Sequence, residues 1–208
     1  MTGREVFSRI ARRYDRLNRI LSLGRDGHWR RTAIAHLPEG RVLDLGGGTG
    51  AANPDLGGRD VVALDPQPAM LALNPARHRV VAGGEHLPFG DGSFDGVFSA
   101  YVFRNLVSIR GTLSEIERVL RPGGVAAIVD LSRPERRWLR ALHRIGTAIV
   151  LPVAGLFVGA PREYWYLHRS LDALPPPERL FAGTGMRFEH LWRMGPLGFV
   201  YGVVLRKA

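Results

Sequence analysis

Short apolar runs bounded by glycine, proline and aspartate alternate with helical patterns from residue 41 onwards. The runs that we predict to be buried strands span residues 41–45, 60–65, 79–82, 94–100 and 125–131. Ile109 to Leu120 has apolar residues at helical spacing before a Pro-Gly-Gly stop. Strands that alternate with helices predict a parallel, doubly wound α/β sheet. Residues 186–192 and 199–205 predict an antiparallel pair at its edge, which makes seven strands in all.

The first forty residues carry a different pattern. Apolar residues recur every three or four positions from Phe7 to Leu21, with arginines around them, which predicts an amphipathic helix that ends at Gly24. A second short helix is predicted over residues 28–37. We therefore expect an N-terminal helical cap over residues 1–40. Because no apolar leader follows Met1, the sequence predicts a cytoplasmic protein.

One segment fits the predicted sheet poorly. Residues 145–159 are almost wholly apolar and include Pro152, but fifteen residues fall short of the roughly 20 that cross a bilayer as a helix. The segment is either a buried core helix, or the wall of an apolar ligand pocket or a lid that touches a membrane.

Composition narrows the classes of protein. The chain has no cysteine, which excludes disulfide scaffolds, cysteine-ligated metals and cysteine nucleophiles. Its net charge of +10 is at first suggestive of nucleic acid or an anionic membrane. The excess positive charge lies entirely within residues 1–41 and 133–144, and the rest of the chain is neutral. The charge therefore has to be explained by the function of these two segments and not by the composition of the whole chain.

A glycine-rich loop, Asp44-Leu45-Gly46-Gly47-Gly48-Thr49-Gly50, directly follows the first predicted strand. Glycines let the backbone approach a nucleotide-like ligand at the carboxyl end of a strand, although a tight turn without a ligand would look the same. Asp65, followed by Pro66, ends the second strand, where a carboxylate can bind ribose hydroxyls. An acidic residue just before the glycines and a proline just after Asp65 are more typical of sites for a nucleoside that bears methionine than of dinucleotide sites.

These motifs resemble those of class I S-adenosylmethionine-dependent methyltransferases, which have a Rossmann-like fold. Two further segments resemble the ubiquinone/menaquinone-biosynthesis C-methyltransferases in particular. One is the N-terminal stretch from Phe7 to Asn18, continued at Leu21-Ser22-Leu23-Gly24 and Trp29-Arg30. The other is Phe103-Arg104-Asn105, followed by Arg118-Val119-Leu120-Arg121-Pro122-Gly123-Gly124. The resemblance covers nearly the whole chain as one domain, with residues 133–175 as a helical, apolar insertion over the substrate side.

The resemblance implies a binding site for S-adenosylmethionine, with S-adenosylhomocysteine as product. The implied cofactor residues are Asp44, Gly46, Gly47, Gly48, Thr49, Asp65, Pro66, Gly83, Gly84, Glu85 and Ala100. Gly83 stands where the family usually has an Asp or Asn that meets the adenine amine, so backbone carbonyls, water or Glu85 would replace it, and Ala100 stands where the family has serine. The crossover after Gly50 leaves room for barely two helical turns, so weakened cofactor binding or lost catalysis stays open.

Arg104, Asn105 and Tyr14 are the implied catalytic residues. C-methylation of a quinol needs a phenolic proton removed, and Arg104 could stabilise the phenolate while Asn105 orients an oxygen or water. A structural Arg-Asn turn is the alternative for the pair. Tyr14 either covers the cofactor as part of a lid or packs in the core. We predict no metal, because the histidines lack ligand spacing and the transfer needs none.

We expect S-adenosylmethionine-dependent methylation of a demethylated polyprenyl quinol, of the demethylmenaquinol type. A different small acceptor and a non-catalytic protein of the same fold are the alternatives. The aromatic segment Tyr164-Trp165-Tyr166, with Trp138 and Phe157, could line a channel for the prenyl tail, or could pack in the core. The basic segments fit peripheral contact with the inner face of an anionic membrane better than nucleic acid, and a homodimer is left open.

Overall fold

A computed structural model describes residues 22, 24–134, 136–157, 168–172 and 174–208, and only the backbone of residues 154–157. Seven strands form one sheet in the order β3-β2-β1-β4-β5-β7-β6. The strands are β1 (Arg41–Leu45), β2 (Asp60–Asp65), β3 (His78–Val81), β4 (Phe94–Ala100), β5 (Leu120–Leu131), β6 (Arg187–Met194) and β7 (Val200–Arg206).

The first five strands pair in parallel, whereas β7 is antiparallel to both β5 and β6. This arrangement confirms the predicted seven-stranded, mostly parallel sheet with an antiparallel C-terminal pair. The order along the sheet reverses between β1 and β4, and loops from their carboxyl ends diverge there. Such a switch point is where open α/β sheets bind ligands.

Six α-helices accompany the strands in the described parts of the chain. They are α1 (Asp26–Ile34), α2 (Asn53–Leu56), α3 (Pro68–Leu71), α4 (Ile109–Val119), α5 (Arg137–Phe157) and α6 (Pro177–Leu180). Helix α1 ends three residues before the predicted boundary, because the chain tightens there into i to i+3 hydrogen bonds, from the His36 N–H to the Ala33 carbonyl oxygen and from the Leu37 N–H to that of Ile34. The crossover helix α2 is a single turn, shorter still than the sequence suggested. The predicted helix before residue 22, and Tyr14 within it, lie outside the described residues.

The sheet is covered on both faces by apolar side chains. Helix α4 packs Leu113, Ile116 and Val119 against one face, and α1 packs Trp29 and Ile34 against the other. The central strands are buried on both faces, as parallel strands require. This core holds the carboxyl ends of β1, β2 and β4 in fixed positions.

Helix α5 contains most of the predicted apolar segment, with Pro152 inside it. The interpretation of this segment as a buried core helix is wrong for much of its length. Ile145, Ile149 and Val150 are each more than 60% exposed, and among the described side chains of residues 145–153 only that of Leu151 is buried. Over the described residues, no helix combines the length and apolar character needed to span a bilayer.

Candidate active site

The glycine loop after β1 is shaped by close contacts on both sides. Gly46 and Gly47 both donate backbone N–H groups to the Leu64 carbonyl oxygen, at 2.7 and 3.0 Å. Gly46 has a φ of +74°, and a Cβ there would collide with the Val102 side chain. Any other residue would therefore strain the backbone and displace the loop after β4. These contacts hold the loop between the end of β2 and the segment after β4.

Asp44 lies beneath this loop and has only 2% of its surface exposed. A Cβ on Gly47 would lie 2.8 Å from Oδ2 of Asp44, and this oxygen has no hydrogen-bond partner among the described residues. Burial, with the nearby Asp65 charge, raises the pKa of Asp44 to about 7, although Arg30 opposes the shift. A buried carboxylate oxygen without a donor favours a cationic ligand nearby.

Asp65, at the end of β2, is fixed by two backbone donors. The Gly48 N–H donates to Oδ2 at 3.1 Å, and the Gln67 N–H donates to Oδ1 at 2.8 Å. Burial raises the pKa of Asp65, while these two hydrogen bonds lower it. Each carboxylate oxygen keeps a lone pair for a further donor. The side chain can therefore accept two neighbouring hydroxyl groups, as a ribose presents them.

These groups border a cavity of about 400 Å³, which we call the glycine-loop cavity. Its wall consists of Leu45, Gly46, Gly48, Leu64, Asp65, Pro66, Gln67, Met70, Gly83, Gly84, Glu85, Ala100, Tyr101, Val102, Asn105, Leu106 and Val107. Eight of the eleven implied cofactor residues are at this wall. Asp44, Gly47 and Thr49 are not, and Asp44 lies behind the loop. A glycine cradle with a fixed carboxylate and apolar sides fits an adenosine group joined to a cationic side chain.

The implied adenine residues are at the loop after β3. Glu85 accepts the backbone N–H groups of Val107 and Ser108 through Oε1, at 2.8 and 3.3 Å. A Cβ on Gly83 would lie 2.9 Å from Oε2 of the same carboxylate. Glu85 thus ties the loop after β3 to the loop after β4, and a larger residue at 83 would displace it. The role of these residues toward adenine stays a prediction.

Arg104 and Asn105 point into different cavities, although they are neighbours in one 3-10 turn (Phe103–Asn105). Asn105 borders the glycine-loop cavity, and its amide donates to the Tyr101 carbonyl oxygen at 3.4 Å. Arg104 borders a second cavity and forms an ion pair with the buried Asp130. The two residues therefore stabilise the turn, as the structural alternative predicted, and each also borders a cavity.

The second cavity, here called the α5 cavity, also measures about 400 Å³. It is bordered by Ser22, Asp26, Trp29, Tyr101, Arg104, Leu131, Leu142, His143, Gly146, Thr147, Val150, Leu151, Leu171, Pro196, Leu197 and Phe199. Most of these side chains are apolar. Trp138, predicted as a channel residue, is 63% exposed and is not part of this wall. Phe157 and Tyr164 to Tyr166 fall outside the described side chains.

Tyr101 belongs to the walls of both cavities. It follows β4 with a φ of +64°, a left-handed conformation that is rare for a tyrosine, and its N–H donates to the Val129 carbonyl oxygen at 2.8 Å. Unusual backbone at such a point is typical of functional sites. The two cavities therefore meet at Tyr101, between Arg104 on one side and Asn105 on the other. This arrangement suits transfer of a small group from a polar ligand to an apolar one.

Three site residues escaped the sequence reasoning: Tyr101, Asp130 and His143. Asp130 could have been suspected, because it interrupts the apolar run of β5. Tyr101 directly precedes the segment that carried the family resemblance. His143 gave no signal, since its position on the cavity side of α5 depends on how that helix packs.

Within the described ranges, no three His, Asp or Glu side chains group as metal ligands.

Comparison with known proteins agrees with this geometry. A structure of an S-adenosylmethionine-dependent methyltransferase from Thermotoga maritima aligns with a TM-score of 0.66 at 16% identity, covering 99% of both chains, which shows a shared fold. The demethylmenaquinone methyltransferase of Thermus thermophilus is 38% identical over 89% of this chain and 94% of its own length. A ubiquinone/menaquinone biosynthesis C-methyltransferase of Geobacter sulfurreducens is 37% identical, covering 88% of this chain and 80% of the relative. Residues 2–185 match the family described as ubiE/COQ5 methyltransferases, and the chain belongs to this family.

Proposed function

We propose that the protein transfers a methyl group from S-adenosylmethionine to a ring carbon of a demethylated polyprenyl quinol, of the demethylmenaquinol type. The observation that carries the proposal is the meeting of two cavities at Tyr101. One is built from glycines and a fixed carboxylate, and the other is built mostly from apolar side chains. The names of the relatives supply the quinone class.

The residues of the glycine-loop cavity fit the cofactor. Asp65 accepts the ribose hydroxyls, Gly46 and Gly48 let the ligand approach the backbone, and Asp44 places a buried carboxyl group behind the loop. The bound cofactor supplies a sulfonium methyl group, which is activated for in-line displacement. The chain's own contribution is to hold the donor and acceptor in line, which alone lowers the barrier substantially.

The α5 cavity holds the acceptor ring and the first part of its tail. In the overall reaction the sulfur–methyl bond breaks, a bond from the methyl to a ring carbon forms, and one proton is released. Arg104 stabilises the phenolate oxygen that makes the ring carbon nucleophilic. Because a guanidinium donates hydrogen bonds and accepts none, and this one is paired with Asp130, it acts by charge and not as a base. Asn105 orients a ring oxygen or a water at the boundary of the cavities.

Activity is tested by incubating the purified protein with methyl-labelled S-adenosylmethionine and a short-chain demethylmenaquinol. We expect a ring-methylated quinol and stoichiometric S-adenosylhomocysteine. A demethylated benzoquinol and a soluble phenol serve as competing acceptors. Methylation of the soluble phenol alone would assign the protein to a different acceptor, and cofactor binding without any transfer would assign it a non-catalytic role.

Exposed apolar side chains on α5 support a further part of the proposal, which is contact with an anionic membrane. Trp138, Ile145, Ile149 and Val153 are between 48% and 63% exposed, and the exposed Arg137 at the start of the helix adds positive charge. Apolar side chains beside arginines are typical of helices that lie on an anionic bilayer. Leu142 and Val150 are more than half exposed and also border the α5 cavity, so a lipid acceptor can pass from the bilayer to the ring site.

Vesicle sedimentation tests the contact. We expect binding to vesicles that contain phosphatidylglycerol, weaker binding to neutral vesicles, and loss of binding in Ile149→Glu. Leu73→Glu, which adds the same charge at an exposed leucine in the turn after α3, should bind like the parent protein. Equal binding of both variants would place the contact elsewhere.

A further inference from the structure

A buried arginine organises the polar end of the α5 cavity. Arg133 is 8% exposed, and its guanidinium donates to Asp172 Oδ1 at 2.9 Å, to Thr147 Oγ1 at 2.8 Å and to the His168 carbonyl oxygen at 3.0 Å. The same Nη1 that reaches Thr147 lies 3.3 Å from Nδ1 of His143. One guanidinium thus connects the loop after β5 to α5 and to residues 168–172.

The contact with Arg133 fixes the tautomer of His143. A guanidinium donates hydrogen bonds and accepts none, so Nδ1 must be the unprotonated, accepting nitrogen. In the neutral ring the proton is then on Nε2. Burial and the charge of Arg133 lower the pKa of His143 to about 4, with a smaller contribution from His168, while Asp172 opposes the shift. The ring therefore stays neutral across the physiological range.

The His143 ring lies at the wall of the α5 cavity, and the described chain engages only its Nδ1 and one of its faces. His143 borders the α5 cavity, and the ring of Phe199 stacks on it at 5.4 Å with an interplanar angle of 27°. Nδ1 is engaged by Arg133 and one ring face by Phe199. Within the described chain, Nε2 has no hydrogen-bond partner. A half-buried N–H donor in a mostly apolar cavity favours an acceptor oxygen on the bound ligand.

We infer that His143 binds one ring oxygen of the methyl acceptor through its Nε2–H, and that Arg133 is the positioning residue that keeps the imidazole in this donor form. The inference rests on the proposed function, because it takes the α5 cavity as the acceptor site. The chemistry recognised is a ring with an oxygen at the polar end of the cavity. His143 is then a hydrogen-bond donor that positions the acceptor ring, and it cannot serve as the base.

Two substitutions separate the donor from the structural contact. His143→Gln keeps an N–H donor close to the place of Nε2, whereas His143→Asn keeps a group near Nδ1 for Arg133 but removes the donor. Binding is measured by calorimetry with a short-chain prenyl naphthalene-1,4-diol and with the two naphthols that each lack one hydroxyl. S-adenosylhomocysteine is present throughout, and its own affinity shows whether each variant is folded.

We expect His143→Asn to weaken binding of the diol about tenfold, the size of one hydrogen bond to a neutral group, and His143→Gln to restore most of it. One of the two naphthols, the one without the recognised oxygen, should bind both variants and the parent equally. A loss of the same size for all three ligands, or for none, would overturn the role of His143 and leave the proposed function standing. Failure of the parent protein to bind the diol and both naphthols would refute the proposed function and this inference together.

The tautomer is tested separately by nitrogen NMR of protein labelled at histidine. We expect His143 to show a protonated Nε2 and an unprotonated Nδ1 between pH 6 and 8. Arg133→Gln should lose both this signature and the discrimination between the two naphthols. A protonated Nδ1 in the parent protein would contradict the inference whatever the ligands do.

Discussion

Nη1 of Arg104 lies 3.2 Å from Oδ1 of Asp130, and the two side chains are 6% and 0% exposed. The same carboxylate accepts the backbone N–H groups of Phe103 and Leu131, both at 2.7 Å. Burial raises the pKa of Asp130, against the effects of Arg104 and these two donors. The pair therefore joins β5 to the turn that carries Arg104 and Asn105, and it keeps a cation at the wall of the α5 cavity.

Removing the negative member of this pair should destabilise the protein strongly. Asp130→Asn keeps the shape but leaves the Arg104 charge buried without a counter-charge, which costs about 3 kcal/mol. Urea unfolding measures the change. The matched control is Arg187→Gln, which breaks the pair of an exposed arginine with Glu189 and should cost less than about 1 kcal/mol. Similar losses in the two variants would mean that the buried pair contributes no more than a surface one.

Loss of the carboxylate at the end of β2 should affect cofactor binding. Asp65→Ala removes the acceptor for ribose and the partner of the Gly48 and Gln67 N–H groups, so we expect affinity for S-adenosylhomocysteine to fall at least tenfold by calorimetry. Asp60→Ala changes the same residue type at the opposite, exposed end of the same strand and should leave affinity unchanged. If both variants bind like the parent, the cofactor lies elsewhere.

The sequence was sufficient to predict the sheet and the glycine loop, because both depend on local patterns. The runs at 41–45 and 60–65 became β1 and β2 at the predicted bounds, and the acidic ends of these strands are at or behind the cavity wall. The surroundings of the 145–159 segment could not be predicted in the same way. Its apolar composition is equally consistent with a core helix, a cavity wall or a lipid-facing surface, and only packing distinguishes them.

The sequence also could not predict that Arg104 and Asn105 border different cavities. The motif places them side by side, and the 3-10 turn sends their side chains to different cavities. Likewise, Asp130 and Arg104 are 26 residues apart in the chain and meet only because β4 and β5 are neighbours in the sheet. Contacts of this kind depend on topology, which residue spacing does not encode.

A glycine on α5 offers a way to close the acceptor cavity. Gly146 borders the α5 cavity, and a Cβ added there would meet no atom of the described residues within 4 Å. Gly146→Leu should therefore fold, occupy part of the cavity and raise KM for the quinol at least tenfold, with cofactor affinity unchanged. Gly146→Ala should leave KM nearly unchanged and stabilise the protein by up to about 1 kcal/mol through helix propensity. A cofactor defect in Gly146→Leu would show that the two cavities bind the ligands differently from our account.

The buried Asp44 should make stability depend on pH. Folding raises the pKa of Asp44 from 3.8 to about 7, so between these values the folded protein holds a proton that the unfolded chain releases. The contribution of this group is therefore fully present below about pH 4 and is lost as pH rises to about 7. Asp44→Asn should remove this dependence. The free energy of unfolding of the variant minus that of the parent should therefore be greater at pH 8 than at pH 5, by roughly 2 kcal/mol or more. Equal differences at the two pH values in urea unfolding would contradict a raised pKa.

The meeting of a donor site and an acceptor site at Tyr101 is tested most directly by a crystal structure of the protein with S-adenosylhomocysteine and a short-chain demethylmenaquinol. Our account predicts the ribose on Asp65, the quinol ring between Arg104 and His143, and the sulfur and a ring carbon facing each other past Tyr101. A quinol ring outside the α5 cavity, or a sulfur atom turned away from it, would contradict the account.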